Sequence, residues 1–216
     1  MRILLKYILS TDRWLRHYAK KGKVEKMEQL LAKLHGTKRT QVLTSKNWKG
    51  QTALHLAARK SQLPAVQLLL DALQKVSMET VVLEKDRDGN TPLHHCILGA
   101  SRAFGSKHLK IAQLLLEHTH NDDNHKELLH SLLLCMAQQP TCYETILLHR
   151  QETGGIPFES ALDKTNWSKA GNTGKGNTQV QTLLTSLLEH GAVLDDTVYR
   201  AAERTRAFDS VRPNMN

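Results

Sequence analysis

A chain of 216 residues, 40% hydrophobic and 24% charged, is long enough to bury a continuous core and too apolar to be read as disordered. Its longest apolar runs, such as Leu114–Leu116 and Leu132–Leu134, fall far short of the roughly 20 residues of a membrane-spanning helix, so no transmembrane segment is expected. The net charge of +9 is concentrated in residues 1–50, which carry 13 Lys+Arg against 3 Asp+Glu, while residues 51–216 carry 17 against 18.

At the start of the chain, apolar residues follow Arg2, but Lys6 interrupts them and Asp12-Arg13 come next without a small-residue cleavage site. A secretory signal is therefore not expected. Cys96, Cys135 and Cys142 cannot all pair within one chain and none stands in a Cys-x-x-Cys spacing, which fits a reducing, cytoplasmic compartment.

In chain order, the predicted units are 12–45, 46–84, 85–122, 123–150, 151–194 and 195–216, all in one domain. The clearest signal lies in the second and third. Gly50-Gln-Thr-Ala-Leu-His-Leu-Ala-Ala58 and Gly89-Asn-Thr-Pro-Leu-His-His-Cys-Ile97 line up 39 residues apart. Each is followed by a second apolar segment, Leu63–Leu70 or Leu109–Leu116, with leucines at the three-and-four spacing of an amphipathic helix. Each unit thus reads as a turn and two helices, with Gly50 and Gly89 in the turn and Pro92 at a helix start, where a missing amide hydrogen costs nothing.

The same shift of 39 places Tyr18, Ala19, Gly22, Val24, Met27, Leu30 and Leu31 on Ala57, Ala58, Ser61, Leu63, Val66, Leu69 and Leu70. Residues 12–34 are accordingly a degenerate first unit. Further on, Glu127–Ala137 and Cys142–His149 are the expected helices of a degenerate fourth unit. Gly154–Leu162 and Leu187–Ala192 bound the fifth, with an insertion at 164–178, and Asp196–Arg204 opens a final cap.

Thr91-Pro92-Leu93-His94 resembles the ankyrin signature Thr-Pro-Leu-His-x-Ala. The resemblance implies an all-α ankyrin-repeat solenoid with degenerate terminal repeats and inserted loops, and it gives Thr52, His55, Thr91 and His94 structural hydrogen-bonding roles. Ankyrin proteins generally bind other proteins with their hairpin tips and inner-helix surface. Those regions correspond to Trp48, Lys49 and Gln51, to Arg59 and Lys60, to Arg87, Asp88 and Asn90, and, in the first unit, to Lys20 and Lys21. Trp48 lies outside the apolar periodicity between Asn47 and Lys49, and a tryptophan among cations is the composition of a binding hot spot. Packing against a neighbouring tip is its structural alternative.

Three other patterns carry less. Gly171–Gly176 resembles a phosphate-binding loop, but Lys169 stands where the first glycine belongs and Gly176 where magnesium needs a hydroxyl. The imidazoles and carboxylates of His118–His125 have no defined metal-ligand spacing. Cys135, in Leu132-Leu-Leu-Cys-Met136, reads as a buried apolar residue rather than a nucleophile. No catalysis, cofactor or metal is expected. The expected function is recognition, by a monomer, of another protein with an acidic surface. The basic N-terminal region leaves nucleic acid or anionic membrane as the alternative, although no zinc finger, basic zipper or aromatic strand motif is present. The resemblance extends to ankyrin effectors that bacteria deliver into host cells, so the site of action is either the cytoplasm or a host cell.

Overall fold

The computed structural model describes residues 2–76, 79–100, 104–119, 123–139, 142–153 and 178–211. Among the described residues there are eleven α-helices and one 3-10 turn, and no strand. None of these helices is long and apolar enough to cross a membrane. The chain forms two compact units, one of residues 1–99 with 110–119 and one of residues 100–109 with 120–216.

The first unit opens with α1 (Arg2–Lys21) and α2 (Val24–Ala32), followed by α3 (Gly36–Thr44). Next come α4 (Ala53–Arg59), α5 (Leu63–Gln74) and a 3-10 turn at Glu79–Leu83. Helix α6 (Pro92–Gly99) and most of α7 (Ser106–Glu117) complete it.

The 39-residue register holds at the level of single hydrogen bonds. Helix α1 ends where Gly22 N–H donates to Ala19 O at 3.2 Å and Lys23 N–H to Tyr18 O at 3.0 Å. Helix α4 ends in the same way, with Ser61 N–H on Ala58 O and Gln62 N–H on Ala57 O, both at 3.0 Å. This closure requires a left-handed residue after the helix, and both Gly22 (φ +66°) and Ser61 (φ +52°) supply it.

Small residues let the inner helices approach closely. Ala19, Ala57 and Ala58 are fully buried, and Leu15, Leu54, Met27, Leu69 and Leu73 fill the space around them. Helix α3 was not expected. Its threonine-rich sequence has weak helical preference, and the burial of Val42 and Leu43 holds it in place.

In the second unit, α8 (Asp123–Ala137) and α9 (Tyr143–Thr153) occupy the predicted fourth-unit segments, each extending past the expected bounds. Helices α10 (Thr178–Glu189) and α11 (Asp196–Val211) follow. Helix α11 is started by Asp195, whose Oδ1 accepts from the N–H of Thr197 and of Val198 at 3.0 Å each. Its Oδ2 takes a 3.0 Å bond from His130 Nε2 on α8. The side chains of Val198, Tyr199 and Ala202 then bury one face of α11, and Arg150 of α9 lies 4.9 Å over the Tyr199 ring.

Candidate functional site at the hairpin tips

Each tip is a six-residue loop built on its first side chain. In Asn47–Thr52, Asn47 Oδ1 accepts the N–H groups of Lys49 and Gln51, both at 2.9 Å. In Asp86–Thr91, Asp86 Oδ1 accepts those of Asp88 at 3.0 Å and Asn90 at 2.9 Å. A short side chain capturing backbone N–H groups two and four residues ahead folds the loop back on itself, so Asn and Asp belong here for a local reason. Backbone pairs close both loops: Asn47 N–H to Gln51 O and Asp86 N–H to Asn90 O, each 2.9 Å.

Successive tips are joined. Arg87 N–H donates to Lys49 O at 3.0 Å, so the second loop hangs from the backbone of the first. Gly50 makes that approach possible: its φ is +79°, and a Cβ there would stand 2.9 Å from Arg87 N. Gly89 has the same conformation, φ +80°, but no described atom lies within 4 Å of its Cβ direction. Gly50→Ala should therefore cost roughly 2 kcal/mol and Gly89→Ala only about 1 kcal/mol, the difference being the close contact. Equal losses in denaturant unfolding would show that the tips are not in close contact at Gly50.

Behind the tips, a histidine ring links one repeat to the next. His55 Nδ1 accepts from Thr52 N–H at 3.2 Å and lies 2.9 Å from Thr52 Oγ1, a reciprocal cap at the start of α4. Its Nε2 then carries the proton and donates to Asn90 O at 3.1 Å. Thr91 and His94 repeat the cap on α6, with Thr91 Oγ1 2.8 Å from His94 Nδ1. In the first unit Arg16 stands at the position of His55, but its bonds stay within that unit, Nη1 donating to Ser45 Oγ at 2.6 Å while Asp12 holds Nη2 at 2.9 Å.

A buried pair reinforces the second tip. His95 Nε2 lies 2.7 Å from Asp86 Oδ2, with both side chains almost inaccessible. Burial pushes the Asp86 carboxyl up, but bonds from His95 and from the N–H groups of Asn90 and Asp88 outweigh it and hold the group below its ordinary value. Burial lowers His55 from 6.5 to about 4, helped by neighbouring His95 and opposed by the bond to Asn90 and the charge of Asp86.

This arrangement of loop, capping Thr-x-x-His and helix pair, found twice at a spacing of 39 residues, falls within the match of a family model for ankyrin repeats (3 copies) over residues 15–127. The chain belongs to the ankyrin-repeat family. No curated protein matches it. Ankyrin repeats are protein–protein interaction modules, typically scaffolds without catalysis of their own.

Most of the residues expected to face a partner are exposed. Lys20 and Lys21 end α1, and their equivalents one repeat later are Arg59, the last residue of α4, and Lys60, which caps it, all four exposed. Lys49, Arg87 and Asp88 are exposed at the tips. Trp48 is 74% exposed, with Lys49 Nζ 4.9 Å over its ring, so it does not pack against the neighbouring tip. Gln51 requires a correction. It is only 6% exposed, because its backbone closes the loop and its side-chain oxygen accepts from Asn47 Nδ2 at 3.1 Å. Asn90 is half-buried and offers its carbonyl to His55 rather than to solvent.

Among the other patterns, Gly171–Gly176 and the fifth-unit segment Gly154–Leu162 lie outside the described residues, as do 120–122 of the His118–His125 run. His118 Nδ1 is 2.8 Å from Leu114 O of its own helix. No disulfide links the three cysteines, and burial together with Cys142 pushes the Cys135 thiol up to about 12, opposite to an activated nucleophile. Sequence reasoning missed Trp14, 51% exposed on α1, whose signal was a tryptophan where the next repeat has Ala53.

Proposed function

We propose that this ankyrin chain, acting as a monomer in the cytoplasm, recognises a partner protein with an acidic surface. Lys20, Lys21, Trp48, Lys49, Arg59, Lys60, Arg87 and Asp88 form the contact surface, with Trp48 as its anchor. The observation that carries this reading is the exposed Trp48 ring with Lys49 stacked over it, on a loop whose shape depends on neither side chain. A rigid aromatic loses little entropy on binding, and its cationic neighbours steer an acidic partner toward it. The net +10 of residues 1–50 supports the same sign of partner.

The test is affinity capture by the wild type and by Trp48→Ala, with mass spectrometry to identify the partner, followed by titration of that partner. Trp48→Ala should fold normally, by circular dichroism, and lose about 2 kcal/mol or more of binding free energy. Charge reversal at Arg59 and Lys60 should act mainly on the association rate and its salt dependence. Unchanged affinity in a folded Trp48→Ala chain would place recognition elsewhere.

A further inference from the structure

We propose that the open end face of the first repeat, between α1 and α2, is a second docking site, which takes an acidic segment of a partner protein carrying an apolar side chain. A groove of about 420 Å³ lies there, lined among others by Trp14, Tyr18, Lys26, Leu30, Lys33 and Leu34. The 39-residue register shows what this face is. Those six residues stand at the positions of Ala53, Ala57, Ala65, Leu69, Ala72 and Leu73 in the next repeat, all of them at most 2% exposed. In the second repeat these positions are interior; in the first they form an open groove.

The replacements determine what can lie on it. Lys26 and Lys33 take the places of buried alanines, and covering two ammonium groups with another apolar helix pair would leave them desolvated and unpaired. A further repeat of the same kind is therefore a poor fit. A solubilising cap is served by polar residues, yet alanine positions are here filled by aromatics. Trp14 is 51% exposed and stacked on Tyr18, with ring centroids 5.4 Å apart and 27° between planes. Lys26 Nζ sits 5.8 Å over the Tyr18 ring. No carboxylate is among the described residues that line it.

An apolar side chain laid on Trp14, Tyr18 and Leu30 would thus meet Lys26 and Lys33, placed to pair with carboxylates on either side of it. This is an aromatic platform with cations of one sign, separate from the tip surface built around Trp48.

The full-length chain is the bait for a random dodecapeptide display library. Selected peptides should be rich in Asp and Glu around a Leu or an aromatic residue. Their affinity, by fluorescence anisotropy, should fall about 10-fold or more in Trp14→Ala and in the Lys26→Glu/Lys33→Glu pair, and should weaken with added salt. Both sets of substitutions are at exposed positions, and circular dichroism reports whether the fold is retained. Trp48→Ala should bind the same peptides within about 2-fold, which separates this site from the tip surface. Three results would overturn the proposal: selected peptides without acidic enrichment, peptides that bind the groove variants as well as the wild type, or tighter, groove-dependent binding of a single-stranded DNA dodecamer than of the best peptide. Failure of Trp48→Ala to affect any partner would bear on the tip surface alone.

Discussion

Lowering the pH from 6.5 to 4 should remove about 3 kcal/mol of stability through His55 alone. In the folded chain His55 Nδ1 already accepts the Thr52 N–H. A proton on that nitrogen would set two donors against each other inside a buried site. The folded pKa of about 4 lies below the ordinary 6.5, so between these values the unfolded chain takes up a proton that the folded chain refuses. The contribution is fully present above pH 6.5 and is lost as the pH falls through the folded value. The Asp86 carboxyl, also held low, extends the loss into more acidic solution. Denaturant unfolding at several pH values, compared with a His55→Gln variant, isolates the effect. A variant with the same pH slope as the wild type would show that His55 is not the titrating group.

Leu93→Ala should destabilise the fold by roughly 2–5 kcal/mol. Leu93 is 2% exposed on α6, with Cys96 and Ile97 buried beside it. Truncation removes apolar area from the interior and leaves a space that neighbours fill only in part. Helix α6 runs only from Pro92 to Gly99, with little length to redistribute the loss, and the Thr91–His94 cap fixes its start. Leu54 occupies the same position one repeat earlier and is equally buried, so Leu54→Ala should fall in the same range. An unchanged unfolding midpoint for Leu93→Ala would mean that the repeat interior is not packed as described.

What the sequence revealed follows from how locally each feature is encoded. The Thr-x-x-His caps and the tip glycines act within a few residues, so the register could be read and extended back to the weak first repeat, where even the helix ends match. Helix α3 depends on the burial of Val42 and Leu43 rather than on its own preferences, and so left little trace. Gln51 was misplaced because its position beside the tip glycine suggested exposure, whereas the loop turns it inward to meet Asn47. That Arg16 stands where the next repeat has His55 could have been read from the register, but not its bond to Ser45 Oγ, which is not the register equivalent of the Asn90 carbonyl that His55 reaches.

The stacked tips also define a scaffold for engineering. Loop shape is set by Asn47 and Asp86, by the glycines, and by the backbone bond from Arg87 to Lys49 O. The side chains at 48, 49, 87 and 88 are exposed, and the loop hydrogen bonds at these positions are made by their backbone atoms, so they can be randomised together with little cost to folding. A combinatorial library at these four positions would keep two adjacent loops in fixed spacing while changing the chemistry they present. Binders to unrelated targets should then be selectable from one thermally intact framework.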